Sequence, residues 1–107
     1  MSEAESIAPP VEPKHSVLSL KLFLADGEPN SLAAQQNLAK LMRMKLDCEI
    51  IVECVDVLKD YRSALEHRVL VTPCLVLLDP PPQVMIAGTL KDLDKVLTAL
   101  RVRVRNA

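Results

Sequence analysis

From Val17 to Ala25 the chain alternates. Leu18, Leu20, Leu22 and Leu24 share one parity, while Val17, Ser19, Lys21, Phe23 and Ala25 share the other. A period of two predicts a strand with one strongly buried face. Asp26 to Ser31 then reads as a loop feeding a helix, with Pro29 suited to the first turn and Asn30 or Ser31 to the cap. From Ser31 to about Leu46 the period changes: Ala34, Leu38, Leu41, Met42 and Lys45 recur at three- and four-residue steps. That stripe predicts an amphipathic helix of about four turns. Glu49 to Val57 returns to a strand pattern rich in β-branched residues. A strand–helix–strand unit with so long a connection predicts a right-handed crossover between parallel strands. Leu58 to about Arg68 reads as a weaker helix with Tyr61, Ala64 and Leu65 facing inward.

The second half turns on Val69 to Gly88, VLVTPCLVLLDPPPQVMIAG. Proline lacks an N–H and disfavours helix in the residue before it, so Thr72-Pro73 opens an extended segment. Cys74 to Leu78, apolar on both faces, reads as a buried strand. Pro80-Pro81-Pro82 forces a stiff corner, Gln83 to Ala87 returns as a neighbouring strand, and Gly88 ends it. In Leu90 to Arg105, two periods compete. Leu93, Val96, Leu97, Leu100 and Val104 form a helical stripe, whereas Leu100 to Arg105 also alternates. Asp92 and Asp94 at the start, with Arg101, Arg103 and Arg105 at the end, complement a helix dipole, and that favours helix throughout. The resulting order, β-α-β-α-β-β-α, is the α/β thioredoxin-like arrangement, a mixed central sheet with helices on both faces.

Composition bounds the chemistry. The 107 residues make one domain, 16–107, preceded by an extension, 1–15, whose prolines and glutamates show little periodicity. Half the residues are apolar, yet Phe23 and Tyr61 are the sole aromatics, so the core is aliphatic and a base-stacking platform is disfavoured. A net charge of −1 argues against phosphate-driven nucleic-acid binding. No apolar run approaches a membrane span, and no secretory signal is visible, so the cytoplasm is the expected location. Cys48, Cys54 and Cys74 form no C-x-x-C pair and read as buried structural thiols. His15 and His67 have no neighbouring nucleophile or carboxylate cluster, and a surface role is expected for each. Neither a cofactor nor a metal is implied.

Several segments carry a specific resemblance. Ala25-Asp26-Gly27-Glu28-Pro29-Asn30-Ser31, VDVLK at Val55 to Lys59, VLVTPCL at Val69 to Leu75, and the DPPP turn followed by Gly88 closely resemble the KaiB family of cyanobacterial circadian-clock proteins. The resemblance covers about Val17 to Val104, with the first-loop glycine shifted by one position. It implies a protein without catalytic activity that binds the ATPase ring of KaiC, captures KaiA and displaces the kinase SasA, whose sensor domain is itself KaiB-like. It also implies two accessible folds: the thioredoxin-like one, which binds KaiC, and a β-α-β-β-α-α-β order found in tetramers. In the binding state the bond preceding Pro73 is expected to be cis.

Departures from the family pattern sharpen these expectations. Ala99-Leu100-Arg101-Val102-Arg103-Val104 stands where the family has Gly-Leu-Asp-Leu-Leu-Tyr. Alanine for glycine inside a helix favours helix by about 1 kcal/mol, and arginine near a helix C-terminus adds a few tenths. Pro73, Gly88, Ala99 and Arg101 are therefore the expected determinants of fold state, with a thioredoxin-like monomer favoured. Lys59 matches the family and Arg68 keeps a lysine's charge, which makes them the candidate partner contacts. Solvated surface charge is the simpler reading of both. Glu53 reverses a usual base on the second strand, Val84 and Met85 replace two bases, and Thr89 replaces an acid. These changes leave open a second function: an interaction module of the SasA-sensor type with another signalling or stress partner. A redox role is the remote alternative, because Gly27-Glu28-Pro29-Asn30 lies where thioredoxin-fold oxidoreductases carry their cysteine.

Overall fold

A computed structural model describes residues 17–105, so the predicted extension at 1–15 lies outside the described residues. The chain runs β1 (Val17–Leu24), α1 (Pro29–Met42), β2 (Glu49–Asp56), α2 (Tyr61–Glu66), β3 (Cys74–Asp79), β4 (Val84–Ala87) and α3 (Leu93–Leu100). The four strands form one sheet in the order β2-β1-β3-β4. β1 and β2 are parallel, with Leu20 beside Val52 and Phe23 beside Val55. β3 runs antiparallel to both β1 and β4. This is the predicted mixed thioredoxin-like sheet.

Its two faces are covered unequally. Leu18, Leu20, Leu22 and Leu24 pack with Ala34, Leu38 and Leu41 of α1 and Val96, Leu97 and Leu100 of α3. Phe23, from the other parity, joins Val55, Ala64, Val69, Cys74 and Val76 in a smaller cluster under α2. Central β3 meets both clusters: Leu75 and Leu77 enter the first, Cys74 and Val76 the second. Its continuous apolar run follows from that position. The three prolines form the turn to β4, with cis bonds before Pro73, Pro80 and Pro82. Gly88 sits at φ +106, and its N–H donates to the Pro73 carbonyl at 2.9 Å, tying the end of β4 to the start of β3.

Four expectations are corrected. First, α1 begins at Pro29 after Glu28, so neither Asn30 nor Ser31 is the cap. Ser31 is buried in the first turn, where its hydroxyl accepts from the Ala25 N–H at 3.0 Å and donates to Glu28 Oε1 at 2.8 Å. The helix ends at Met42, leaving Met42 and Lys45 exposed, because the following segment pairs elsewhere. Second, Cys54 is exposed rather than buried, since β2 is an edge strand. Third, Tyr61 and Leu65 point outward at 61% and 66% exposure; six-residue α2 buries only Ser63 and Ala64.

The fourth correction concerns the C-terminus. α3 stops at Leu100, and Arg101 adopts a left-handed conformation (φ 60, ψ 40). Val102 N–H then bonds the Leu97 carbonyl, Arg101 N–H bonds Thr98, and buried Val102 lies in the same cluster as Leu97, which is a Schellman stop. Beyond it the chain is an extended arm: Val104 forms an antiparallel bridge with Leu46. Asp47 N–H bonds the Arg103 carbonyl at 3.0 Å and Arg105 N–H bonds the Lys45 carbonyl at 2.6 Å. Arg101, Arg103 and Arg105 therefore lie past the helix and do not cap its last turn. Ala99 stays inside it.

Candidate partner-binding surface

Lys59 and Arg68 flank α2, one in the turn before it and one in the turn after, and both are exposed. The helix between them rises about 1.5 Å per residue, so roughly 10 Å separates the ends that carry the two charges. Asp60 starts the helix, accepting from the Ser63 N–H at 3.2 Å. Its end is a second Schellman stop: Val69 N–H bonds the Ala64 carbonyl at 2.8 Å and Arg68 N–H bonds Leu65 at 3.0 Å. Arg68 takes the left-handed position of that motif, at φ 58. The motif fixes where Arg68 leaves the surface, because its backbone is hydrogen-bonded and its neighbour Val69 is buried. Arg68 and Arg101 thus hold equivalent places at the ends of two helices, and Leu90 shares their positive φ.

On α2 and the turns that flank it are apolar side chains that periodicity did not place at the surface. Leu58, Tyr61, Leu65, Leu70 and Val71 are all exposed, Leu70 at 91%. Beside them a shallow cavity of about 190 Å³ is lined by Val57, Ala64, Val69, Leu70, Val71 and Thr72. The available signal was Leu70 and Val71, which fall between the predicted helix and the strand that opens at Thr72-Pro73; Leu58 gave none, because the predicted helix began there, whereas α2 begins at Tyr61. Large apolar side chains grouped on a surface and rimmed by charge mark a site of protein association.

The other candidate residues are dispersed. Pro73 is buried and linked to Gly88, whereas Ala99 and Arg101 lie on α3 and just after it. Glu53 is exposed on β2, in register with Lys21 of β1, so opposite charges sit side by side on adjacent strands. Lys21 Nζ also donates to Ser63 Oγ at 3.4 Å. His67 is half-buried and not a free surface group: its ring lies 5.7 Å from that of Phe23, and Nδ1 meets the Ser63 carbonyl at 3.0 Å.

The junction of β1 and α1 contains a cavity of about 340 Å³ lined by Ala25, Asp26, Gly27, Glu28, Pro29 and Ser31, among others, with no sulfur among its lining residues. Cys74 is buried, and burial raises its thiol pKa despite a hydrogen bond from Ile86 that lowers it. A raised pKa suppresses the thiolate that redox chemistry needs. Among the described residues, no group of three or more His, Cys, Asp or Glu is placed to hold a metal. No helix there is long and apolar enough to cross a membrane.

The sheet order, the helices on both faces and the Thr72-Pro73 step at the start of β3 define a thioredoxin-like α/β domain. Its fold is similar to the solution structure of the N-terminal domain of Synechococcus elongatus SasA, with a TM-score of 0.67, 22% identity, and coverage of 92% of this chain and 94% of that one. The family model for the KaiB domain matches residues 21–102. The circadian clock oscillator protein KaiB of Trichodesmium erythraeum is 34% identical over 90 residues, spanning 84% of this chain and 86% of that protein. That of Gloeothece citriformis is 37% identical over 81 residues, spanning 76% of each. The chain belongs to the KaiB family.

Proposed function

We propose that this chain is a non-catalytic clock-regulatory protein that binds a KaiC-type ATPase ring through the α2 surface and modulates its cycle. The observation that carries this reading is the set of exposed apolar side chains on α2 and its flanking turns, Leu58, Tyr61, Leu65, Leu70 and Val71, in the same stretch as Lys59 and Arg68, in a family whose relatives are clock oscillator proteins. Apolar contact supplies most of the association energy in such a design, and the flanking cations set orientation and partner choice. KaiA-like or SasA-like proteins are further partners under this reading. The free protein is a cytoplasmic monomer whose thioredoxin-like state is favoured by Pro73, Gly88 and Ala99.

Co-elution with an ADP-loaded KaiC ring tests the proposal. The chain should travel with the ring, and Arg68→Glu should reduce the bound fraction at least tenfold while leaving the circular dichroism spectrum unchanged. A wild-type chain that does not co-elute favours the second reading, a SasA-sensor-like module for another signalling partner. That reading draws on Glu53, Val84, Met85 and Thr89, which replace charges usual in the family.

A further inference from the structure

The connection from α1 to β2 gathers sulfur. The chain has four methionines and three cysteines, and three of these, Met42, Met44 and Cys48, line one surface cavity of about 310 Å³ with Leu46, Glu49 and Ile50. The backbone that carries them is held in place. Met42 is the last residue of α1, and the Met44 N–H bonds the Leu41 carbonyl at 3.1 Å. Between Met44 and Cys48 every residue is fastened to the arm after α3. The Lys45 carbonyl accepts from the Arg105 N–H, Leu46 bridges Val104, and the Asp47 N–H donates to the Arg103 carbonyl. A methionine has three rotatable bonds and can turn its thioether toward the cavity without moving this frame. Packing accounts for part of the arrangement, since Met44 and Cys48 rest against the larger apolar cluster. It does not account for Met42, which is 44% exposed.

We infer that this cavity binds univalent copper through the sulfurs of Met42, Met44 and Cys48. Thioether sulfur is a soft donor that suits Cu(I), and it is absent from the usual zinc ligands Cys, His, Asp and Glu. Zinc would find one thiol and the Glu49 carboxylate here, and calcium or magnesium the carboxylate alone, each short of the ligands it takes. Among the described residues no group of His, Cys, Asp and Glu completes such a set. On binding, the Cys48 S–H bond breaks as the S–Cu bond forms; the proton passes to solvent and the copper stays univalent. Thiolate and Cu(I) cancel in charge. The exposed cations Arg43 and Lys45 are matched by Asp47 and Glu49, so no net positive charge in this stretch opposes the ion. None of these residues belongs to the α2 surface, and the site stands apart from the proposed contact with the ring.

The test uses the full chain carrying Cys54→Ser, which removes the exposed thiol; Cys74 is buried, so Cys48 is the accessible thiol that remains. Silver(I), an air-stable probe for the same donors, is titrated while the methionine methyl groups are followed by NMR. One equivalent should shift the Met42 and Met44 methyls saturably and leave those of Met1 and Met85 unmoved. Under nitrogen, competition for Cu(I) with bathocuproine disulfonate should show at least tenfold weaker binding in Met42→Leu/Met44→Leu, a volume-conserving change. Met42→Leu alone, at an exposed position, should weaken it as well, and Cys48→Ser should abolish it. Met42 and Met44 methyls that stay fixed, or an affinity unchanged in the leucine variants, would overturn the assignment by leaving a thiol acting alone. Equal shifts at Met85 would overturn it as unspecific binding to thioethers.

Discussion

Arg68 and Arg101 each occupy a left-handed backbone position where glycine is the usual residue. An L side chain there costs roughly 1–2 kcal/mol from the clash of Cβ with the following carbonyl, part of which glycine's extra freedom in the unfolded chain returns. Arg68→Gly and Arg101→Gly should each stabilise the fold by about 1 kcal/mol, read as a higher urea midpoint at unchanged m-value. Arg68→Gly should at the same time weaken binding to the ATPase ring, separating the residue's cost to folding from its use at the surface. The cysteines give a second residue-scale outcome. Burial raises the Cys74 and Cys48 thiol pKa values above their unfolded values, with Asp47 adding to the shift at Cys48. The native state therefore holds these protons more tightly than the unfolded chain does. Their stabilising contribution is complete below the ordinary thiol pKa of about 8.5 and is lost as pH rises through that value toward the raised native one. Melting temperature should fall above about pH 8.5, and less steeply in Cys74→Ala.

At the scale of elements, the arm after α3 shows a local preference losing to a non-local one. Leu93 to Val104 has a helical stripe, but the helix stops after eight residues and Val104 pairs with Leu46, fifty-eight positions earlier. The same pairing ends α1 early: Leu46 is buried and bridged where a continued helix would have carried it past the arm. One side-chain bond, from the Arg103 N–H to Asp47, closes the junction. The amides of Asp47, Arg103 and Arg105 should accordingly be protected from deuterium exchange although they lie outside any helix. Asp47→Ala should speed exchange at Arg103 most, and at Asp47 and Arg105 as well, because the bonds cooperate; the loss corresponds to about 1 kcal/mol. The period-two alternation in Val102 to Arg105 was the legible sign of this arm. The arginines near the end of α3 suggested a dipole interaction that their position past the helix does not provide.

At the scale of the molecule, α1 and α3 cover one face of the sheet, while α2 covers only part of the other. The consequence is an apolar group on α2 and its flanks that adds nothing to the core. Leu70→Lys, at a residue 91% exposed, should change folding stability by no more than about 0.5 kcal/mol and should abolish co-elution with the ring. A loss of stability comparable to a core substitution would show that Leu70 is buried in solution. A second, slowly exchanging set of NMR amide peaks in the free protein would count against a single thioredoxin-like state.

The sequence by itself determined the element order, the strands and the thioredoxin-like class, since periods of two and 3.6, proline positions and the apolar run of β3 are local consequences of backbone geometry. It also singled out Lys59 and Arg68 as candidate contacts, through the resemblance to the KaiB family. Tertiary structure decided which apolar residues are spare. Whether Cys54, Tyr61 or Leu65 is buried depends on what lies across from it, and an edge strand or a one-and-a-half-turn helix has too little opposite to cover every apolar side chain. Tertiary structure also ended the last helix: a helical stripe and a period-two alternation competed within that segment, and only the pairing of Val104 with the distant Leu46 decided between them.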